Sequence, residues 1–151
     1  MDKNRPPGIS FDDIILKELT FSRKEGFSDK PEFIMHLKSA VSFSPEGDRL
    51  IYEMSCEVKD KKEFFGINCT MIGFFSVIKE SENMGLREYA QLNAPATMFP
   101  YVREVVASTT TRAGISPVII PPTNLGMLKR LPEGYEEEQN ILDEKTERES
   151  L

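Results

Sequence analysis

The 151-residue chain holds one histidine, His36, and two cysteines, Cys56 and Cys69. These are its side chains best suited to general-base, nucleophilic or metal-binding work. To act as a catalytic base, His36 needs a nucleophile and an orienting acid within hydrogen-bond reach, and its sequence neighbours supply neither. It stands on the more polar phase of an alternating run, which predicts a surface histidine. Cys56 and Cys69 fall on the apolar phases of two successive runs, which predicts buried thiols rather than a redox or metal pair. Asn68-Cys69-Thr70 matches a glycosylation sequon that a cytoplasmic strand cannot use. No phosphate-binding loop, no dinucleotide-binding glycine motif and no nucleophile elbow occurs. The hydroxyl run Ser108-Thr109-Thr110-Thr111 is unusual for a helix, because β-branched hydroxyl residues are mediocre helix formers. Small residues there permit close helix–helix approach, which suits an oligomer contact better than catalysis. The expectation is a protein that catalyses no reaction and needs no cofactor or metal.

Elements that could position these residues must fit in one domain, the number a chain of this length supports. A hydrophobic fraction of 39% and a charged fraction of 29% are ordinary for a soluble globular protein. No apolar run approaches the roughly 18 residues of a membrane span, and Met1–Gly8 lacks the apolar stretch of a secretory signal. Two cysteines make no disulfide framework, so a reduced, cytoplasmic setting is expected. The net charge of −6 is concentrated at one end. Residues 133–151 carry eight acids against Lys145 and Arg148, which leaves the other 132 residues formally neutral. Such a body has no global field to attract nucleic acid, and the acidic segment repels it. Residues 133–151 also lack a sustained apolar period, so a solvated, disordered tail is expected.

The first half alternates with period two, as half-buried antiparallel strands do. In Phe33–Phe43 the odd positions are mainly apolar, and Ser44-Pro45-Glu46-Gly47-Asp48 is suited to reversing the chain. Leu50, Tyr52, Met54, Cys56 and Val58 then alternate with more polar neighbours, and Phe65, Ile67, Cys69 and Met71 form a third run. An earlier run, Ile14 to Phe21, is strand-like, but its two faces are less clearly sorted. The second half changes period. Met84–Leu92 predicts a short helix stopped by Asn93-Ala94-Pro95. Thr97 is placed as the N-cap of a long helix over Met98–Ala113, with Pro100 in its first turn and Gly114 just past its end. Three prolines keep Ile115–Pro122 extended, and Asn124–Leu131 predicts a last short helix. The fold class is α+β: a four-stranded antiparallel sheet with the long helix and short helices packed on one face. The predicted organisation is a flexible extension over 1–13, a folded domain over 14–132 and the acidic tail over 133–151.

Apolar residues are in excess of what these elements need to cover one another. Ten phenylalanines and seven methionines serve a chain without tryptophan. Phe74 and Phe75 are adjacent, so both faces of the last strand carry a large ring, and Phe27 stands in a polar loop. The cover is either the protein's own helices and partner subunits or a groove for apolar polypeptide segments. Methionine and phenylalanine suit such a groove because they repack around varied side chains.

Asn93-Ala94-Pro95-Ala96-Thr97-Met98-Phe99-Pro100-Tyr101-Val102-Arg103-Glu104, followed by Thr111-Arg112-Ala113-Gly114, resembles the SecB family of bacterial protein-export chaperones. In that family the long helix opens with a Phe-Pro-Tyr-Ala-Arg-Glu block and closes on Ser-Arg-Gly. Pro121-Pro122-Thr123-Asn124-Leu125 is similar to its Pro-Val/Ile-Asn-Phe element, and Gly73–Val77 and Lys17–Phe21 are similar to the ends of its fourth and first strands. The resemblance spans residues 14–131. It implies a cytoplasmic, ATP-independent holdase that binds unfolded or preprotein polypeptides in apolar grooves, linked to protein export and assembled as a dimer of dimers. By position it places Phe27, Phe74, Met84, Leu86, Tyr89 and Leu92 in the peptide-binding segments, with core packing as the alternative for each. It places Tyr101, Val105, Ala107 and Thr111 on the inter-dimer helix face. Glu18 keeps one of the acids through which the family meets the translocase motor SecA. Ser22, Arg23 and Lys24 follow where another acid is expected, and Asn68 takes a third acidic position, which puts the motor partnership in doubt. The alternatives are a chaperone of this kind dedicated to one client, such as an antitoxin, and a non-catalytic scaffold subunit of the same fold.

Overall fold

The computed structural model describes residues 1–26 and 30–121 and the backbone of residues 136–139. Four long strands occur where the period-two runs stand: β1 (Ile9–Arg23), β2 (Phe33–Phe43), β3 (Arg49–Asp60) and β4 (Phe65–Val77). They pair antiparallel in the order β1-β4-β3-β2. Met35, Leu37 and Val41 of β2, Leu50 to Val58 at even positions of β3, and Phe65 to Phe75 at odd positions of β4 form one buried face. The opposite face is more open, so the alternation read from the sequence is the division between the two.

The mixed phase of the first run has a structural cause. Asp12 and Lys17 are passed over in the β1–β4 register, so Phe11, Ile14, Leu16, Leu19 and Phe21 face Phe75, Gly73, Met71, Cys69 and Ile67 in turn. Each bulge inserts one residue and exchanges the two faces, which converts an odd phase to even and back. β1 also begins at Ile9, inside the segment expected as a flexible extension over 1–13. The residues before it are tied down. Asn83 Oδ1 accepts from the Asp2 N–H at 2.8 Å, and its Nδ2 donates to the carbonyls of Asp2, Arg5 and Pro6. Gly8, at φ +77°, is buried, and a Cβ there would stand 2.0 Å from the Ser81 carbonyl oxygen.

Two helices follow, α1 (Leu86–Leu92) and α2 (Ala94–Arg112), separated by Asn93 alone. The long helix therefore starts three residues before the predicted N-cap. Pro95 occupies its first turn, where no N–H is required. Thr97 lies inside the helix and donates from Oγ1 to the Asn93 carbonyl. Pro100 is internal; both it and Ala96, whose carbonyl loses its intrahelical partner, are exposed. Gly114 takes φ +73° just past the end, as expected of a C-terminal glycine. Ala94, Pro95, Met98, Phe99, Val102, Val106 and Thr110 form the inner face of α2 against the sheet. Thr110 is fully buried; its Oγ1 donates to the Val106 carbonyl and accepts from the Val118 N–H, which pins the extended segment after α2 to the helix.

A fifth strand, β5 (Glu136–Gln139), pairs antiparallel with β2. At these four positions the acidic segment is part of the sheet rather than a solvated tail. The predicted helix Asn124–Leu131 and the candidate Phe27 lie outside the described residues.

Candidate functional site

The two faces of the sheet separate residues that the sequence grouped together. Phe74 is on the open face, half-buried, beside Ile51, its register partner on β3. Leu86 and Tyr89 of α1 are buried on the other face, where the Tyr89 ring meets Phe75 edge-on at 5.5 Å. Met84 is half-buried and lines a depression with Val77, Asp48 and Leu86, and Leu92 projects into solvent at the end of α1. The five described candidates thus do not form one groove. Leu86 and Tyr89 are core residues, while Phe74, Met84 and Leu92 remain accessible in three places.

Accessible apolar groups that the sequence reading passed over cluster on β1. Ile15 on the open face is 43% exposed, and Leu16 and Leu19 on the helix side are 46% and 40% exposed. Among the described residues β1 pairs only with β4, so one of its edges is accessible. Tyr101 of α2 is exposed over the same flank, with its ring 5.8 Å from Phe11. On the open face Ile15 is opposite Ile72, and with Phe74 and Ile51 they make an apolar area one strand row deep on either side. The signal for β1 was present in its apolar residues at both parities, but the bulges hid which face each would occupy.

Of the helix-face candidates, Tyr101 and Thr111 are exposed, and Val105 and Ala107 are half-buried on the flanks of α2. Three of the four hydroxyls of the run bond within the helix. Ser108, Thr110 and Thr111 donate to the carbonyls of Val105, Val106 and Ala107. Such back-bonding to the helix's own carbonyls is the usual accommodation of Ser and Thr inside a helix.

Charge is concentrated on the open face. Glu18 is exposed there, beside the half-buried Glu53 and Glu57 of β3, and Asn68 lies between β1 and Glu57. Lys17 bonds Glu53 at 2.9 Å and Lys59 approaches Glu57 at 3.4 Å, so the β3 carboxylates are largely compensated. Ser22 shares this face but Arg23 does not, which corrects the grouping of the three residues after Phe21. Arg23 is opposite Phe65 on the helix side; its guanidinium donates to the carbonyls of Lys24, Gly26 and Ala113 and lies 4.9 Å from the Phe64 ring centroid. A cation at the end of α2 also suits the negative end of the helix dipole. His36, half-buried on the open face, is opposite Glu57, whereas Cys56 and Cys69 are register partners on the buried face. The histidine and the two thiols are therefore not brought together.

Burial sets the chemistry of these thiols. Desolvation pushes the Cys69 thiol up to about 11 from 9.0 and Cys56 higher still, with the neighbouring acids Glu104 and Glu57 adding to the effect. In the unfolded chain both thiols ionise first, so the stability they support is complete below pH 9 and is lost as the pH rises towards 11. Alkylation by iodoacetamide at pH 8 is expected only after denaturant is added. Mass spectrometry showing rapid modification of the native protein would contradict this burial.

A four-stranded antiparallel sheet with two helices on one face also matches the fold of known proteins. The family model of the preprotein translocase subunit SecB matches residues 3–130. The chain belongs to the SecB family. Protein MJ0357 of Methanocaldococcus jannaschii is 31% identical over 143 residues, covering 87% of this chain and 91% of that protein. The protein-export protein SecB of Nitrosospira multiformis is 28% identical, covering 84% of each chain. Among solved structures, a Mycobacterium tuberculosis SecB-like chaperone, in complex with a ChAD peptide from the HigA1 antitoxin, superposes with a TM-score of 0.62 at 19% identity. That superposition covers 75% of this chain and 86% of the chaperone, and it bears on the SecB-like fold alone. Among the described residues no helix is long and apolar enough to cross a membrane.

Proposed function

We propose that this SecB-family chaperone is an ATP-independent holdase of the cytoplasm that binds apolar segments of unfolded polypeptides. It acts by mass action, drawing unfolded chains away from aggregation, and catalyses no reaction. The observation that carries the reading is the exposure of large apolar side chains on both faces of one sheet: Ile15, Ile51 and the half-buried Phe74 on one, Leu16 and Leu19 on the other. Apolar area of this kind marks interaction surfaces in soluble proteins. Leu16, Leu19 and Tyr101, with the accessible edge of β1, serve self-association into a dimer of dimers, in which Thr111, Val105 and Ala107 support close helix contact. The open-face area around Phe74 serves clients, with Met84 and Leu92 as separate accessible contacts and Phe27 carried over from the sequence resemblance alone.

The test is calorimetry, without nucleotide, against a reduced and alkylated polypeptide that cannot fold. Binding in the micromolar range or tighter is expected, weakened at least about tenfold by the double substitution Ile51→Ser/Phe74→Ser, or about 1.4 kcal/mol. Absence of binding to several unrelated unfolded chains would sink the general holdase. A chaperone dedicated to one client is then the better reading. It is favoured by the compensated carboxylates of the open face, since pairing Glu53 with Lys17 and Glu57 with Lys59 leaves Glu18 a weak attractor for a basic motor such as SecA. The antitoxin-peptide complex of the Mycobacterium tuberculosis chaperone supplies a model for such a client.

A further inference from the structure

The sheet has one outer strand whose edge is occupied by the chain's own acidic segment. β2 runs for 11 residues beside β3, and its other edge is paired over Leu37–Ala40 by β5, with Leu37 opposite Gln139, Ser39 opposite Glu137 and Ala40 opposite Glu136. The rest of that edge, over Phe33–His36 and Val41–Phe43, has no strand beside it among the described residues. We propose that β5 is an intramolecular strap that closes the β2 edge to extended polypeptide, and that a client segment pairing with β2 must displace it.

Three properties make β5 a displaceable occupant rather than a permanent fifth strand. It is four residues long, so it supplies few ladder hydrogen bonds against the entropy of ordering them. Its sequence, Glu136-Glu137-Glu138-Gln139, has low strand propensity and places like charges side by side. In the backbone register Glu138 is opposite Lys38, an acid–base pairing of positions whose attraction salt screens. Against this stands covalent attachment, which holds the strap at an effective concentration in the millimolar range. A strap of this strength excludes weak edge-to-edge pairing between copies, the hazard of an open outer strand, yet yields to a longer extended segment with alternating apolar residues. The acidic end of the chain thereby acquires a role that solubility does not describe.

This inference rests on the holdase reading for its functional half, and the experiment separates the two. In the full chain, Lys38→Cys/Glu138→Cys places two cysteines on register partners, a separation that antiparallel neighbours bring within disulfide reach. Mild oxidation is expected to cross-link them in high yield, with Cys56 and Cys69 left as thiols. The oxidised form is expected to bind a permanently alkylated unfolded polypeptide at least tenfold more weakly than the reduced form. A second full-length variant, Glu137→Pro/Glu138→Pro, removes an amide of each ladder phase. It is expected to speed hydrogen exchange over Leu37–Ala40 and to tighten binding of the same polypeptide. Failure to cross-link, or unchanged exchange in the proline variant, overturns the strap. Cross-linking with equal affinity in the two redox forms overturns the competition. If the reduced form binds no unfolded chain, the holdase reading fails, while cross-linking and exchange still decide whether β5 closes the edge.

Discussion

Phe75→Ala is expected to lower the unfolding free energy by about 3–5 kcal/mol, the range for truncating a buried phenylalanine. The ring is 1% exposed and joins three elements. Phe11 of β1 stacks on it at 5.0 Å with an interplanar angle of 16°, and Tyr89 of α1 meets it edge-on at 5.5 Å. Its removal leaves a cavity between the bulged strand and the first helix, where two other rings lose their partner. The control is the neighbour. Phe74 is half-buried on the opposite face, and Phe74→Ala is expected to cost about 1 kcal/mol or less, as partial burial of a similar ring implies. Urea denaturation of both variants at one fixed protein concentration measures the difference. Equal losses would mean that the two faces are not divided as the alternation of β4 requires.

Gly73→Val is expected to be the most disruptive small-to-large change in the sheet. Gly73 lies between Ile14 and Tyr52 in the register and faces α2. A Cβ there would stand 2.3 Å from Met98 Sδ and 3.0 Å from Phe75 Cε2. The glycine is what lets the fully buried Met98 side chain reach the strand. Overpacking of this kind costs about 1–3 kcal/mol, and a valine adds two methyls beyond the alanine that already clashes. A flexible thioether yields in part, so the strain is shared with the helix. Met98→Ala should therefore recover part of the loss when combined with Gly73→Val, although it destabilises the wild-type chain by itself. A double-mutant cycle reads that coupling. Strict additivity of the two changes would show that Met98 does not press on position 73.

These two residues mark what was legible. The alternation of β2, β3 and β4 placed Met35, Tyr52, Cys56 and Met71 on one face, because a period of two leaves no other arrangement in a paired strand. Gly114 was legible as a helix end because only a residue at ease with positive φ closes a helix in that way. The order Phe99-Pro100-Tyr101 was legible as a family signature, though not as helix geometry: Pro100 reads as a first-turn residue and stands inside α2, at an exposed position.

Identity and order of the residues determined the fold class, the buried thiols, the neutral body with its acidic end, and membership in the SecB family. Only the tertiary structure decided which apolar residues are free. Leu86 and Tyr89, which the resemblance places either in the groove segments or in the core, are covered by the sheet, whereas Leu16 and Leu19 read as ordinary strand residues and are exposed. Periodicity states which side chains share a face; whether a face is covered depends on where distant helices end. Two bulges in β1, the turn of Arg23 onto the end of α2 and the pairing of Glu136–Gln139 with β2 are likewise non-local. Each arises from a partner strand or helix whose position no local pattern encodes.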